Sequence, residues 1–282
     1  METRITVLID NAVTSPGLKC QHGLSLWVEA GSTRILFDTG QDGLFLQNAA
    51  RLGVAVAGTE WLVLSHGHYD HTGGVPALLQ TGARPCVVAH PGLWTRRRSV
   101  RAGAPPRDAG APWPRQTLDD YGVRWVDGTR PVRIAPGVWT TGGIARTAPS
   151  PPSNGLEAES REGWSPDAFP DEQALAIRTV DGLVVVTGCC HAGLENTVAA
   201  ARRVSGEDRL LAVAGGLHLL RTEPSEARRL AALLRGQGAR FLFAGHCTGE
   251  EAHAAMREVM GASCGWAGSG SVLRLPGPTS GC

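Results

Sequence analysis

Residues 62–79 restrict this chain more than any other segment, because they place four metal-binding side chains within six residues of each other. The segment, LVLSHGHYDHTGGVPALL, opens on a continuous apolar run that predicts a strand covered on both faces. His66, His68, Asp70 and His71 follow the end of that strand. A solvated polar loop is the alternative interpretation. Imidazoles and carboxylates are rarely clustered without a charge to bind, so the pattern favours a metal site.

The spacing of these four residues predicts two ions rather than one. His66 and His68 are two residues apart and point the same way in an extended segment, so both can bind one cation. Asp70 and His71 lie beyond the turn and can face a second cation. Gly67 allows the backbone to approach the site closely.

Three later histidines occupy equivalent positions in the predicted structure. His191 follows the apolar run LVVVT, His218 follows LLAVA and His246 follows FLFA. The carboxyl ends of parallel strands in one sheet lie at a common edge. A single histidine is more often structural, but three after predicted strands favour a shared site.

The chain opens with predicted strands and closes with alternating strands and helices. An Asp181-Gly182 pair predicts a two-residue hairpin. In the last third, helices are predicted at 193–204, 224–234 and 250–260, with strands at 210–214, 240–244 and 272–275. Helices covering both outer faces of a strand-rich centre would give one layered α/β domain over residues 1–282. We expect residues 91–118 and 145–170, rich in Pro, Gly, Ser and Arg, to be long irregular insertions that act as lids or are disordered.

Composition excludes several classes of protein. The 27 Lys and Arg residues balance 26 Asp and Glu, which argues against a dedicated nucleic-acid-binding protein. The sequence has no run of 18 apolar residues and no apparent secretory signal, so we expect no membrane segment. Seven scattered cysteines suit a reducing cytoplasm better than a disulfide framework.

The HxHxDH pattern at 66–71 resembles the signature of the metallo-β-lactamase superfamily. This resemblance implies a four-layer αββα sandwich with metals at one edge, between the sheets. Further segments resemble one branch, the proteins named 7,8-dihydropterin-6-yl-methyl-4-(β-D-ribofuranosyl)aminobenzene 5′-phosphate synthase. They are, in chain order, DN at 10–11, HGLS at 22–25, FDTG at 37–40, TGCCHAG at 187–193, GGLHL at 215–219 and GHCTGE at 245–250. That branch usually has Ser where this chain has Cys190.

The resemblance implies a ligand set for each ion. One ion takes His66, His68 and His191, and the other takes Asp70, His71 and His246. Many relatives have a bridging Asp where this chain has Cys189, which is either a thiolate ligand or a missing bridge. His218 stays open as a ligand, a supporting residue or a substrate contact. Asp38 is expected to support the metal-binding loop by hydrogen bonds, although it could be a simple turn former.

Two divalent ions, zinc first and manganese or iron next, would lower the pKa of a shared water and produce a hydroxide nucleophile. Asp70 and His71 are the expected catalytic residues, since Asp70 can orient the hydroxide or return a proton. The prediction is a hydrolase acting on a small ester, lactone, amide or phosphate. Alternatives are an iron-dependent redox or lyase-type enzyme, a metal-bearing binding protein and a Cys–His nucleophile.

The substrate is less constrained. A run of basic residues in the first insertion would suit an anionic substrate, namely Arg96, Arg97, Arg98 and Arg101. A solvated basic loop is the alternative. Trp94, Trp113 and Trp164 lie in the two insertions and would form an aromatic wall over a planar ligand, or pin the insertions to the body.

Overall fold

Two seven-stranded sheets form the centre of the computed structural model, which describes residues 2–279. The predicted unit, residues 1–282, therefore extends beyond the described residues at both ends. In spatial order the first sheet contains β18 (Val272–Pro276), β1 (Glu2–Ile9), β2 (Ser25–Ala30), β3 (Thr33–Phe37), β4 (Trp61–Val63), β5 (Cys86–Ala89) and β8 (Trp125–Asp127). The second contains β17 (Cys264–Trp266), β16 (Phe241–Gly245), β15 (Leu210–Gly216), β14 (Gly182–Thr187), β13 (Leu175–Thr179), β10 (Val138–Thr140) and β9 (Arg133–Ala135).

Seven α-helices accompany these sheets in the described part of the chain. They are α1 (Leu44–Leu52), α2 (Tyr69–Thr72), α3 (Val75–Gln80), α4 (Gln116–Asp120), α5 (Leu194–Ser205), α6 (Pro224–Gly236) and α7 (Glu250–Met260). Short 3₁₀ helices lie at Val56–Gly58, Pro91–Trp94, His246–Thr248 and Gly261–Ser263. The alternation predicted for the last third of the chain is present, and α7 has the predicted bounds.

Three apolar cores separate four layers. The central core lies between the sheets and includes Phe37 from β3 and Val184 from β14. A second core packs α1, α3 and α4 on the outer face of the first sheet, and a third packs α5, α6 and α7 on the second sheet. The helices bury one face each, as α6 does with Leu230 and Leu234 four residues apart. The predicted αββα sandwich is therefore confirmed.

Strand direction brings the later histidines to one edge. Strands β14, β15 and β16 are neighbouring and parallel, and His191, His218 and His246 follow them in turn. In the first sheet β3 and β4 are also parallel neighbours, and Asp38 follows β3. Because parallel strands end at the same edge, side chains far apart in sequence meet there.

The prediction that residues 91–118 and 145–170 are irregular is partly wrong. They pair with each other in a four-stranded sheet ordered β12 (Gly163–Pro166), β11 (Leu156–Ser160), β6 (Arg97–Ser99) and β7 (Arg107–Asp108). These strands are short and mostly polar, and of the four only β11 alternates apolar with polar residues. The pairing of β6 with β11, which joins the two insertions, links residues about 60 positions apart, and periodicity does not detect such a pair.

The predicted hairpin at Asp181-Gly182 is present, since β13 and β14 pair antiparallel with Thr179 opposite Gly182. Among the residues described, all six cysteines are free thiols. No helix in the same range has the length and apolar character needed to cross a bilayer.

Candidate metal centre

Buried imidazoles form the first half of the site. His66 Nε2 lies 3.0 Å from His68 Nδ1, and both rings are buried after β4. His191 packs against both rings, with ring centroids 5.0 and 5.2 Å away. Both ring nitrogens of His191, and Nε2 of His68, are buried without a hydrogen-bond partner in the described structure. Unpartnered buried nitrogens cost free energy, and a cation bound to the one lone pair of the neutral His191 ring would offset part of that cost.

The second half of the site is built from both sheets. His71 Nε2 lies 3.1 Å from His246 Nε2, and Asp70 Oδ2 lies 3.7 and 3.5 Å from these two atoms. Two ligand atoms on one tetrahedral zinc ion are roughly 3.3 Å apart. The three side chains therefore have the spacing of one coordination shell.

Cys189 lies between the two halves. Its Sγ atom belongs to one possible donor group with His66 and His191, and to another with His71 and His246. Sγ is 3.3 Å from His71 Nε2. Burial raises the pKa of the Cys189 thiol well above its ordinary value, and a bound cation would reverse this effect by stabilising the thiolate.

Hydrogen bonds from Asp38 determine which ring nitrogens face the site. Asp38 Oδ2 accepts from His71 Nδ1 at 2.7 Å and from Ser65 Oγ at 2.6 Å. Because Ser65 Oγ donates to the carboxylate, it accepts from His66 Nδ1 at 2.9 Å. In both imidazoles Nδ1 carries the proton, and the lone pair of Nε2 points into the site.

Asn11 performs the same function for His246. Its Oδ1 atom accepts from His246 Nδ1 at 3.0 Å, which leaves the Nε2 lone pair facing His71 Nε2. Two lone pairs 3.1 Å apart repel each other unless a positive charge lies between them. Burial lowers the pKa of His71, but the carboxylates of Asp70 and Asp38 outweigh it and raise that pKa to about 9. The site therefore attracts a proton, or a metal ion in its place.

The backbone around the site is fixed by further buried carboxylates. Asp10 Oδ1 accepts from the amide of His246 at 2.6 Å. Glu172 accepts from the amides of His191 and Ala192 at 2.6 and 2.5 Å. Burial raises the pKa of Glu172 to about 7, although these two amides act in the opposite direction. These contacts hold in place two histidines that follow strands β14 and β16 of the second sheet.

Left-handed backbone conformations are concentrated at this site. Within residues 2–279 six non-glycine residues have positive φ angles, between 49° and 67°. They are Asp38, Asn154, Phe169, Cys190, His218 and His246. His218 and His246 are candidate ligands, and Cys190 precedes His191. The other three contact the site: Asp38 bonds to His71, Phe169 stacks on His191 with a centroid distance of 3.7 Å, and Asn154 contacts His218. Such strain is typical of functional sites, where the surrounding structure maintains it.

His218 lies beside the first half of the site. Its ring centroid is 4.2 Å from that of His191, and its Nδ1 atom is buried without a partner. It also belongs to a possible donor group with Cys189 and Cys247. The structure thus places His218 at the site and leaves its three predicted roles open.

The burial and contacts of Arg97 do not fit its predicted role in substrate binding. It is only 2% exposed, and its guanidinium donates to Asp167 and Asp171 at 2.7 Å each. Arg96 and Arg98 are paired with Glu159 and Glu157. The acidic partners of these three arginines already accept from the guanidinium N–H groups that would have to bind an anionic substrate.

The predicted aromatic wall is not formed either. Trp94 and Trp113 pack edge to face, 5.7 Å apart, and Trp113 Nε1 donates to Thr72 O. Trp164 lies under the guanidinium of Arg98, at 4.3 Å, on the four-stranded sheet. Trp94 and Trp113 therefore attach the first insertion to the body, which was the other interpretation.

A cavity of about 380 Å³ opens onto the candidate ligands. Its wall includes three arginines, Arg101, Arg107 and Arg221, of which only Arg101 was noticed in the sequence. Tyr69, His22 and Asn154 also line it. The sequence signal for Arg107 and Arg221 is weak, because each is a single basic residue in a loop or short strand.

Comparison with known proteins agrees with this fold. The family model of the metallo-beta-lactamase superfamily matches residues 18–148. A protein of Methanocaldococcus jannaschii, named 7,8-dihydropterin-6-methyl-4-(beta-D-ribofuranosyl)-aminobenzene-5′-phosphate synthase, is 31% identical over 247 residues, which cover 82% of each chain. This chain therefore belongs to the metallo-β-lactamase superfamily, whose members are largely enzymes and typically bind divalent metals.

Solved structures give the same result. Tm1679, described as a metal-dependent hydrolase of the beta-lactamase superfamily, is 30% identical with a TM-score of 0.82, over 97% of this chain and 99% of that one. A diphosphatase from the PhnP family has a TM-score of 0.56 at 16% identity, over 99% of each chain. The second likeness shows the fold alone.

Proposed function

We propose that this protein is a hydrolase that holds two divalent metal ions and acts on a small anionic ester, lactone, amide or phosphate. The observation that carries the proposal is the pair of facing lone pairs on His71 and His246 Nε2, beside the unpartnered nitrogens of His191. Facing nitrogens in this arrangement need a proton or a metal ion between them, and the further donors gathered around them support the metal ion. The description of Tm1679 as a metal-dependent hydrolase supports the hydrolytic form of the proposal.

The residues present fit two ions that share Cys189. His66, His68 and His191 would hold the first, and Asp70, His71 and His246 the second. A nitrogen-rich set with one thiolate suits zinc best. When bound, two such ions supply a lowered pKa for bound water and polarise a carbonyl or phosphoryl oxygen.

Asp70 is the carboxylate of this set that lines the cavity. The carboxylate is nearly buried, and His71, His22 and His246 hold its pKa below its usual range despite burial. It is therefore ionised, and the carboxylate oxygen that does not bind the ion can orient an attacking water or accept a proton.

Three arginines support an anionic substrate. Arg101 and Arg107 belong to the first of the two insertions that form the four-stranded sheet. Arg221 follows β15 of the second seven-stranded sheet. None of them forms an ion pair with any residue that the structure describes, unlike Arg96, Arg97 and Arg98. Free guanidinium groups around the cavity are suited to a phosphate or carboxylate.

The first experiment measures metal content and hydrolysis together. Wild-type protein should bind two ions per chain and hydrolyse at least one member of a panel of chromogenic phosphodiesters, esters and lactones. His68→Ala and Asp70→Ala should each lose one ion and most of the turnover. Turnover unchanged after chelation, or turnover that consumes oxygen with bound iron, would overturn the hydrolase proposal in favour of the other chemistries.

The second experiment tests the anionic substrate. With the best phosphate or carboxylate substrate from that panel, Arg101→Ala, Arg107→Ala and Arg221→Ala should each raise KM about tenfold, the value of one charge-assisted hydrogen bond. Arg96→Ala is the matched control, because Arg96 is exposed and paired with Glu159. Equal KM values in all four variants would exclude the arginines as the anion site.

A further inference from the structure

His22 is a histidine outside the HxHxDH signature that reaches the second half of the site. It lies between β1 and β2, in the HGLS segment, and lines the cavity. Its Nε2 atom is 3.1 Å from Asp70 Oδ2, and its ring centroid is 5.2 Å from that of His246. Donor atoms of these three side chains lie close enough together to hold one ion.

The backbone next to His22 is fixed to two of the candidate ligands. Asn11 Oδ1, which accepts from His246 Nδ1, also accepts from the amide of Gly23 at 3.0 Å. The amide of Leu24 donates to Asp70 O at 3.1 Å. Gly23 has a φ of 144°, and a Cβ atom there would lie 2.5 Å from Asp70 O. Only glycine allows this approach, so His22 is held beside Asp70 and His246 by the fold itself.

We propose that His22 is an additional ligand of the second metal ion, with Asp70, His71, His246 and Cys189. The separation of 3.1 Å between His22 Nε2 and Asp70 Oδ2 is close to that of two ligand atoms on one zinc ion. The His22 side chain is 55% exposed, so this ligand lies on the solvent side of the ion. The proposal rests on the two-ion site proposed above.

A competing explanation is that His22 only donates a hydrogen bond to Asp70. The metal-ligand and hydrogen-bond explanations predict that different side chains can replace the imidazole of His22. His22→Gln keeps an N–H donor but supplies an amide, which is not among the usual zinc ligands. His22→Glu removes the donor and supplies a carboxylate, which zinc does bind.

The test is a titration of Zn²⁺ into metal-free protein against a chromophoric chelator, which resolves two binding steps. His22→Ala and His22→Gln should weaken one step by at least about tenfold and leave the other unchanged, and His22→Glu should restore much of the loss. His90→Ala is the matched control, since His90 caps the turn at Pro91–Trp94 away from the donor groups. Thermal unfolding of the metal-free forms checks that each variant folds.

The outcomes separate the two proposals. Two unchanged steps in His22→Ala, or full recovery in His22→Gln with none in His22→Glu, would overturn the role of His22 as a ligand. A wild-type protein that binds fewer than two ions would instead overturn the two-ion site itself. Loss of the same zinc-binding step in His22→Ala and in Asp70→Ala supports the proposal that His22 and Asp70 bind one ion.

Discussion

At the scale of single residues, Asp38 controls the site without facing the cavity. Its carboxylate selects the Nδ1–H form of His71 directly and that of His66 through Ser65. Asp38→Asn is a conservative test, because Asn tolerates the left-handed φ of 59° found here. We expect zinc affinity to fall about 10- to 100-fold, since the amide is a weaker acceptor and can present N–H groups to the ring.

The measurement for Asp38→Asn is the same chelator competition, accompanied by unfolding of the metal-free protein. Ser25→Ala is a suitable control, because Ser25 Oγ donates only to the backbone carbonyl of Asp38. An Asp38→Asn variant with wild-type affinity would show that ring orientation is set by packing alone.

Cys189 allows a second test at this scale. Its thiolate is proposed to touch both ions, so Cys189→Ser should weaken both binding steps, while loss of a terminal ligand weakens one. Cys190→Ser is the matched control: its Sγ contacts Thr197 Oγ1 at 3.4 Å and belongs to none of the donor groups. Full occupancy by two ions at unchanged affinity in Cys189→Ser would show that the thiolate is not needed.

Residue types and spacing predicted some of the site and not the rest. His66, His68, Asp70 and His71 are adjacent in sequence, so their shared chemistry is visible without a structure. His22 begins the HGLS segment noted in the sequence, but its role depends on a contact with Asp70 that crosses 48 residues, and the segment alone does not show that contact. The arginine run was misleading for the same reason, because the acids that neutralise it lie in the other insertion.

At the scale of elements, the four-stranded sheet is joined to the site through Arg97. Asp171 accepts from Arg97 Nη2 and also from the amide of Gly67, at 2.7 Å each. A Cβ atom on Gly67 would lie 2.0 Å from Leu93 O, so this contact needs glycine. The sheet therefore positions the loop that carries the first histidines.

Arg97→Ala should therefore lower the free energy of unfolding. Removing one partner from a buried ion pair leaves two carboxylates uncompensated, and we expect a loss of about 3–5 kcal/mol in the free energy of unfolding. Arg96→Ala should cost less than about 1 kcal/mol, since its pair with Glu159 is exposed, with 74% of the Arg96 side chain accessible. Denaturant unfolding of both variants measures the difference, and equal stabilities would contradict the buried network.

Prediction of elements succeeded where local sequence determines them. The hairpin at Asp181-Gly182 and helix α6, which begins at Pro224, follow from turn and helix-start preferences. Strands β6, β7, β11 and β12 have little local signal, because each is two to five residues long and the pair that joins the two insertions, β6 with β11, links distant residues. Distant pairing of short polar strands is decided by tertiary structure, which explains why the insertions were predicted as irregular.

At the scale of the whole molecule, the two ions would connect the two sheets. Donors after β4 belong to the first sheet, and His191 and His246 follow strands of the second. In the unfolded chain these donors are dispersed, so cations bind the folded state preferentially and stabilise it by mass action. An ion at 100 times its Kd contributes about 2.7 kcal/mol.

Metal removal should therefore lower Tm by roughly 5–10 °C for each ion bound at that excess. The measurement is thermal unfolding of chelated and zinc-reconstituted protein, with metal content determined on the same samples. His246→Ala should lose part of the zinc-dependent rise, whereas His253→Ala should keep it, because His253 lies in α7 against Trp266 and outside the donor groups. Equal Tm values for two-ion and metal-free wild-type protein would mean that the cations do not hold the sheets together, and the site would then be an accessory of a fold that is stable without it.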